Sequence, residues 1–237
     1  MFVKLDLKQV KELPQSIPII LVPFRDNAEQ ERADHLKKFI SHMSRYHPDW
    51  MILVIEQSDD ERKFNRGALL NIGARIAQRM KVDHIIYHDV DLIPLAPLVP
   101  YYTAFPEQPI HVGAVYKDKY SGDGFIGQAL SISLKDIKKI NGYPNMFWGW
   151  GGEDDAMRNR MKKHGVKVLR PDTDKGYKVL EHKDTRTIPE MKNMHKWEDV
   201  KGDTGKHGFN DVQWKVQAEE DLASNAKKIT VEIYTSG

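Results

Sequence analysis

Three almost wholly apolar runs, separated by stretches of helical periodicity, constrain this chain more than any other feature. Residues 17–24 (IPIILVPF), 51–56 (MILVIE) and 84–87 (HIIY) have the β-branched, near-continuous apolar character of buried parallel strands. Pro18 stands at the very start of the first, where a proline is tolerated. Asp26 and Asn27 follow with turn or cap chemistry. Ala33, Leu36, Phe39, Ile40 and Met43 then recur at helical spacing within 29–46, and Leu69, Ile72 and Ile76 share one face within 66–80. The resulting β-α-β-α-β order predicts an α/β fold with a parallel, doubly wound sheet. Such sheets bind ligands outside the carboxyl ends of their strands. Residues 23–25, 64–66 and 89–91 are therefore expected on one rim.

The second half is less regular. Residues 113–116, 126–133, 166–169 and 178–182 read as strands and 153–164 as a helix, with Asn141-Gly142-Tyr143-Pro144 a turn. Residues 183–208 are polar and poorly patterned, as functional or mobile segments often are. The stretches 212–216 and 229–234 alternate like a terminal β pair. With 237 residues, no internal repeat and no linker, the chain is expected to form one domain. A net charge of +2 leaves no basic excess for nucleic acid, so local basic groups are expected to serve a small anionic ligand. The absence of cysteine excludes disulfides, zinc–thiolate sites and cysteine nucleophiles, and suits a reducing compartment. The N-terminal MFVKLDLKQVKELPQS has no apolar signal core, and no window approaches the ~18 apolar residues of a membrane span. The expectation is a cytoplasmic chain, or a catalytic piece of an anchored parent.

Two motifs carry most of the chemistry. Asp89-Val90-Asp91 follows the third apolar run and places two carboxylates at the sheet rim. Mg²⁺ and Mn²⁺ want such oxygen ligands, and diphosphate oxygens can complete the shell. Taken alone the motif is weak, and an Asx-type turn ending a strand is the simpler account of the same three residues. Trp148-Gly149-Trp150-Gly151-Gly152-Glu153-Asp154-Asp155 is far more specific. Its glycines let the backbone approach a ligand, its tryptophans offer flat faces to sugar rings, and its acids fall at a helix N-terminus. One of them could take the proton of an attacking hydroxyl. Arg25 in PFRD and Arg66 in FNRG suit bidentate contact with phosphate, or a surface ion pair. His182 is one histidine of ten and by itself carries no assignment.

In order along the chain, PFRD (23–26), FNRGALLNIG (64–73), HDVDLIP (88–94), INGYPNMFWGWGGEDD (140–155), His182, GFNDVQWKV (208–216) and ITVEI (229–233) resemble the β-1,4-galactosyltransferases, inverting enzymes of GT-A fold. The resemblance runs from about residue 17 onward. It implies a nucleotide-binding half (17–116) after an N-terminal extension (1–16), and an acceptor-binding half (117–237) with a mobile loop at about 183–207 that closes over the donor. It implies a UDP-sugar donor, a saccharide or glycoside acceptor, and Mn²⁺, or Mg²⁺ in its place. Pro23, Phe24 and Arg25 would hold the uridine side, Phe64 and Arg66 the uracil and phosphates, and Asp89 and Val90 the nucleoside. Asp91 and His182 would bind the metal. Trp150 would lie between donor phosphate and acceptor. Gly151, Gly152, Glu153 and Asp154 would face the acceptor, with Asp154 as general base. Three departures bear on specificity. Val179 stands where the GlcNAc-type enzymes have a methionine near the metal. Phe125 stands where the family has its donor-selecting tyrosine on the acceptor side, which leaves N-acetylgalactosamine or glucose as alternative donor sugars. Residues 119–124 are shorter and lack an acceptor-site tyrosine. The missing cysteines and anchor suggest a cytoplasmic, microbial or viral relative. A sugar-nucleotide or glycan-binding module without turnover is the alternative outside catalysis.

Overall fold

The computed structural model describes residues 2–115 and 124–234, so the reading of residues 119–124 lies outside the described residues except at Gly124. In chain order the elements are β1 (Phe2–Leu5), α1 (Leu7–Glu12), β2 (Ile19–Phe24), α2 (Arg32–Tyr46), β3 (Met51–Gln57), α3 (Arg66–Arg79), β4 (His84–His88), β5 (Leu92–Pro94), α4 (Val99–Thr103), β6 (Ala129–Ser133), α5 (Leu134–Ile140), α6 (Glu153–Lys163), β7 (Val168–Pro171), β8 (Tyr177–Val179), α7 (Lys196–Gly202), β9 (Gln213–Ala223) and β10 (Ala226–Tyr234). The central sheet has six strands in the order β6-β4-β2-β3-β10-β9. Its inner pairs β4–β2, β2–β3 and β3–β10 are parallel, while β6 and β9 run antiparallel at the edges.

The three apolar runs became the inner strands for the expected reason. Every residue of β2 is buried, so both faces of the sheet are covered. Leu21, Leu53, Ile55 and Ile85 face one core together with Leu69 and Ile72 of α3. Their neighbours Ile20, Val22, Val54 and Ile86 face a second core with Phe39 and Met43 of α2. This alternation with period two is what a strand imposes. The carboxyl ends of β2, β3 and β4 then open on the same edge.

The second half departs from expectation in several places. Residues 113–116 were expected as a strand; Tyr116 lies outside the described residues, and Val112–Val115 is a 3₁₀ turn. The extended bonding passes instead to Ile110, which bridges Ser131 and Leu169. A Cβ on Gly113 would lie 2.7 Å from the Gly127 carbonyl oxygen, and that close approach tightens the turn. The strand expected over 126–133 begins only at Ala129, because Gln128 takes a left-handed φ of 70°. The strand expected over 178–182 ends at Val179, paired with β5. Residues 183–208 hold two 3₁₀ turns and α7. Residues 1–16 are more than an extension. β1 adds in parallel to β7, and Asp6 forms a capping box with Gln9 at the start of α1. Among the described residues no helix is long and apolar enough to cross a membrane.

One buried amide sets the distance between the two halves of the rim. Asn71, inside α3, donates to the Tyr143 carbonyl oxygen at 2.7 Å and to Asn145 Oδ1 at 2.8 Å, and accepts from the Tyr143 N–H at 3.0 Å. Gly142 permits this contact, since it has a φ of 60° and a Cβ there would stand 2.2 Å from Asn71 Oδ1. Asn71→Ala would leave the buried Tyr143 N–H without its acceptor and the Tyr143 carbonyl without this donor. It is expected to lower stability by about 3 kcal/mol. Urea unfolding checks this, by a lower midpoint at unchanged slope.

Candidate active site

The rim encloses a cavity of about 1010 Å³. Fifteen of the residues singled out from the sequence line it, but Trp148, expected to offer a face to a sugar ring, does not: it packs on the core with the Arg62 guanidinium 4.3 Å from its ring centre. Pro23, Phe24 and Arg25 come from the end of β2, and Phe64 and Arg66 from the start of α3. Asp89, Val90 and Asp91 follow β4. Phe125 precedes β6, Trp150, Gly151, Gly152, Glu153 and Asp154 lead into α6, and His182 follows β8. A shallower hollow of about 780 Å³ beside Gln213 and Tyr234 holds none of them.

Local chemistry explains how each segment presents its side chains. Asn65 caps α3 by accepting from the Ala68 N–H at 2.9 Å, which fixes Arg66 in the first turn. Gly152 takes a φ of 94° as the residue before α6, so Glu153 and Asp154 open that helix where its dipole favours negative charge. Trp150 is pinned through its backbone between the Met191 carbonyl at 2.7 Å and the Asn193 N–H at 3.0 Å. The Lys196 ammonium stands 5.3 Å from the Trp150 ring and 4.8 Å from that of Trp197. Arg25 is turned partly away from the cavity, with its guanidinium on the Ser58 carbonyl at 3.1 Å and on Asp60 at 3.0 Å. It braces the β3–α3 loop.

Two charge clusters occupy the cavity. The first centres on Arg66, whose guanidinium donates to Asp89 Oδ1 at 2.9 Å and to Asp154 Oδ1 at 3.0 Å, with Glu153 at 3.7 Å. Burial works against the Arg66 charge, but Asp89 and Asp154 outweigh it and keep the group firmly protonated. Burial, and then the charge of Asp154, push the Glu153 carboxyl up to about 7. Enclosure also raises Asp89, against the pull of Arg66.

The second cluster joins Asp91 to His182, with Nε2 2.8 Å from Oδ2. Arg32 donates to the same oxygen at 2.9 Å. Against the cost of burial, the His182 hydrogen bond and the Arg32 charge hold Asp91 well below the usual carboxylate range. His182 is oriented by its other nitrogen, which lies 2.7 Å from the Lys183 carbonyl oxygen. The buried Gln30 amide braces that segment, donating to Thr185 at 2.8 Å and to the Lys183 carbonyl at 3.0 Å. A carboxylate oxygen and an imidazole nitrogen oriented from behind are a fitting pair for a divalent cation. Among the described residues no cluster of three or more His, Cys, Asp or Glu could hold a metal. Further ligands would therefore have to come from a bound substrate or water.

Sequence reasoning missed Arg32, Gln30 and Tyr143. Arg32 and Gln30 sit at the head of a helix and carry no periodic signal. Tyr143 was legible only as part of a turn, yet its hydroxyl donates to Asp154.

Comparison with known proteins gives a consistent result. Residues 12–103 match the family model described as the N-terminal region of glycosyl transferase group 7, and residues 108–183 one described as the N-terminal domain of galactosyltransferase. A xylosylprotein 4-β-galactosyltransferase of Caenorhabditis elegans is 31% identical over 224 residues, covering 90% of this chain and 75% of the relative. The β-1,4-galactosyltransferase 7 of Homo sapiens is 33% identical over 226 residues, covering 90% of this chain and 65% of that protein. Among solved structures, the catalytic domain of Drosophila β-1,4-galactosyltransferase 7 in complex with xylobiose superposes with a TM-score of 0.78. It is 28% identical and the match covers 92% of this chain and 94% of that one. A mutant of the same enzyme, in complex with manganese, UDP-Gal and xylobiose, also gives 0.78, at 26% identity and with 93% and 96% covered.

The Glu153 environment makes a pH-dependent contribution to stability. Its carboxyl titrates near 4.5 when unfolded and about 7 when folded, so the folded state binds more protons between those values. Stability therefore falls as pH rises through that window. Glu153→Gln is expected to match the unsubstituted protein near pH 4.5 and to exceed it by roughly 3 kcal/mol at pH 8. Calorimetric unfolding at the two pH values measures the difference.

Proposed function

The chain belongs to glycosyl transferase group 7, the family of the β-1,4-galactosyltransferases, and on that premise we propose that it moves galactose from UDP-galactose to a hydroxyl of an acceptor sugar, in β linkage and with Mn²⁺. One observation carries this reading. A single cavity holds the Asp91–His182 pair in one cluster and the Glu153–Asp154 pair in the other, with Arg66 bonded to both Asp89 and Asp154. That is the layout a sugar-nucleotide donor and a hydroxyl acceptor need when they react in line.

Phe24, Phe64 and Val90 offer an apolar slot for the uracil, and Arg66 a cation for the diphosphate. Asp91 and His182 would hold Mn²⁺, which, when bound, neutralises the charge that develops on the departing UDP. Trp150 supplies a flat face for a sugar ring. Asp154 takes the proton of the attacking hydroxyl as that oxygen bonds to the anomeric carbon. The bond from that carbon to the phosphate oxygen breaks with its electrons on UDP, and configuration inverts from α to β. Glu153 holds its proton near neutral pH and so can donate a hydrogen bond to the acceptor. Positioning and charge supply most of the acceleration. Xylosides lead the acceptor panel, because the Drosophila neighbour was solved with xylobiose.

Asp154→Asn is expected to lower kcat by about 10³-fold or more while UDP affinity stays within about twofold. Transfer assays alongside calorimetric UDP titration check this, and near-normal turnover would sink the base assignment. Donor choice is read by offering UDP-galactose, UDP-N-acetylgalactosamine and UDP-glucose with Mn²⁺. Galactose is expected to be preferred, and strict preference for N-acetylgalactosamine would move the reading to the alternative donor. Chelation is expected to stop transfer and Mn²⁺ to restore it. His182→Ala is expected to weaken Mn²⁺ binding at least tenfold in a direct binding titration.

A further inference from the structure

The proposed base is held by more than Arg66. Tyr143 is fully buried, and its hydroxyl donates to Asp154 Oδ1 at 3.0 Å, the oxygen that also takes Arg66 Nη1 at 3.0 Å. The phenol is rigidly placed. Its backbone is clamped at both N–H and carbonyl by the Asn71 amide, and its ring packs edge-on against Tyr87 at 5.5 Å. Burial, reinforced by the neighbouring Asp154 charge, raises the phenol well above its ordinary range, so it remains a donor across the working pH. Among the described residues no hydrogen-bond donor reaches Asp154 Oδ2. That oxygen lies over Gly127, where a Cβ would come within 2.3 Å of it.

We propose that Tyr143 is a positioning residue for the transfer reaction: with Arg66 it occupies Asp154 Oδ1, which leaves Oδ2, lying over Gly127, as the oxygen that receives the proton of the acceptor hydroxyl. This rests on the reading of Asp154 as the base. In the step, the acceptor O–H bond breaks and its proton goes to Oδ2. The freed oxygen pair forms the new bond to the anomeric carbon, and the bond to the phosphate oxygen leaves with UDP. Tyr143 keeps its proton throughout. Charged and titratable groups face Asp154 from each packed element: Arg66 from α3, Asp89 from the end of β4, Glu153 beside it on α6 and Tyr143 from the 141–145 turn. Only Tyr143 among them can lose its donor without changing charge.

The test measures the base directly. In the full chain labelled with ¹³C at the aspartate carboxyls, the signal absent from Asp154→Asn identifies Asp154. Tyr143→Phe is expected to raise its titration midpoint by about one unit, as loss of a donor to the charged form should. Replacing Tyr143 by 3-fluorotyrosine, a stronger donor of nearly the same size, is expected to lower it, and keeps the test open if the phenylalanine variant is poorly folded. The acid limb of the rate profile, with UDP-galactose, Mn²⁺ and 4-nitrophenyl β-xyloside, is expected to move in the same directions. An unmoved midpoint in a folded Tyr143→Phe protein overturns the proposal and reduces Tyr143 to packing. Retained turnover in Asp154→Asn overturns the base assignment instead, so the two failures are told apart.

Discussion

The Arg66 guanidinium is the cation on which the arrangement of the site depends. It meets Asp89 from the end of β4 and both Asp154 and Glu153 from the start of α6. It therefore ties three separately folded segments at one point, while Asn65 fixes its own place in the chain. One positive charge cannot balance three carboxylates in an enclosed cavity, where each unpaired charge is costly. The imbalance is relieved by protonation. Glu153 is the most enclosed of the three acids and the farthest from the guanidinium, so it is the one whose ionisation is most disfavoured. The protonation pattern of the site is thus a consequence of how many acids share one arginine.

The inner architecture was legible in the sequence because burial on both faces leaves a strong mark. Residues 17–24, 51–56 and 84–87 are almost wholly apolar, and that pattern admits few structures other than inner strands. The rim residues followed from topology, since the carboxyl ends of parallel strands must meet. The edges were harder to read. Where a strand was expected from Gly113, Val112–Val115 form a 3₁₀ turn because Gly113 is pressed against the Gly127 carbonyl, a contact its own sequence does not announce. β1 was overlooked because its partner, β7, lies more than 160 residues away. Short edge strands owe their existence to such partners more than to their own composition.

The same limit explains which site residues went unnoticed. Asp154 and Trp150 announce themselves in a glycine-rich, acidic run. Tyr143 lies eleven residues earlier and reaches the carboxylate only because Asn71 holds the intervening turn against α3. Gln30 shapes His182 across a gap of 152 residues. Residues that act on other side chains leave no local signal, since their chemistry exists only in the folded contact.

Asp91 and Glu153 show how far that contact governs chemistry. Both are acids at the same rim, and burial alone would raise both. Asp91 is met by Arg32 at 2.9 Å and His182 at 2.8 Å, so it stays ionised and can serve a cation. Glu153 is buried beside Asp154 with only a distant share of Arg66, so its carboxyl is pushed up to about 7. Two carboxylates on one cavity are thereby shifted in opposite directions by their neighbours. Two close hydrogen-bonding partners at Asp91, against a shared and more distant cation at Glu153, are what set the two apart.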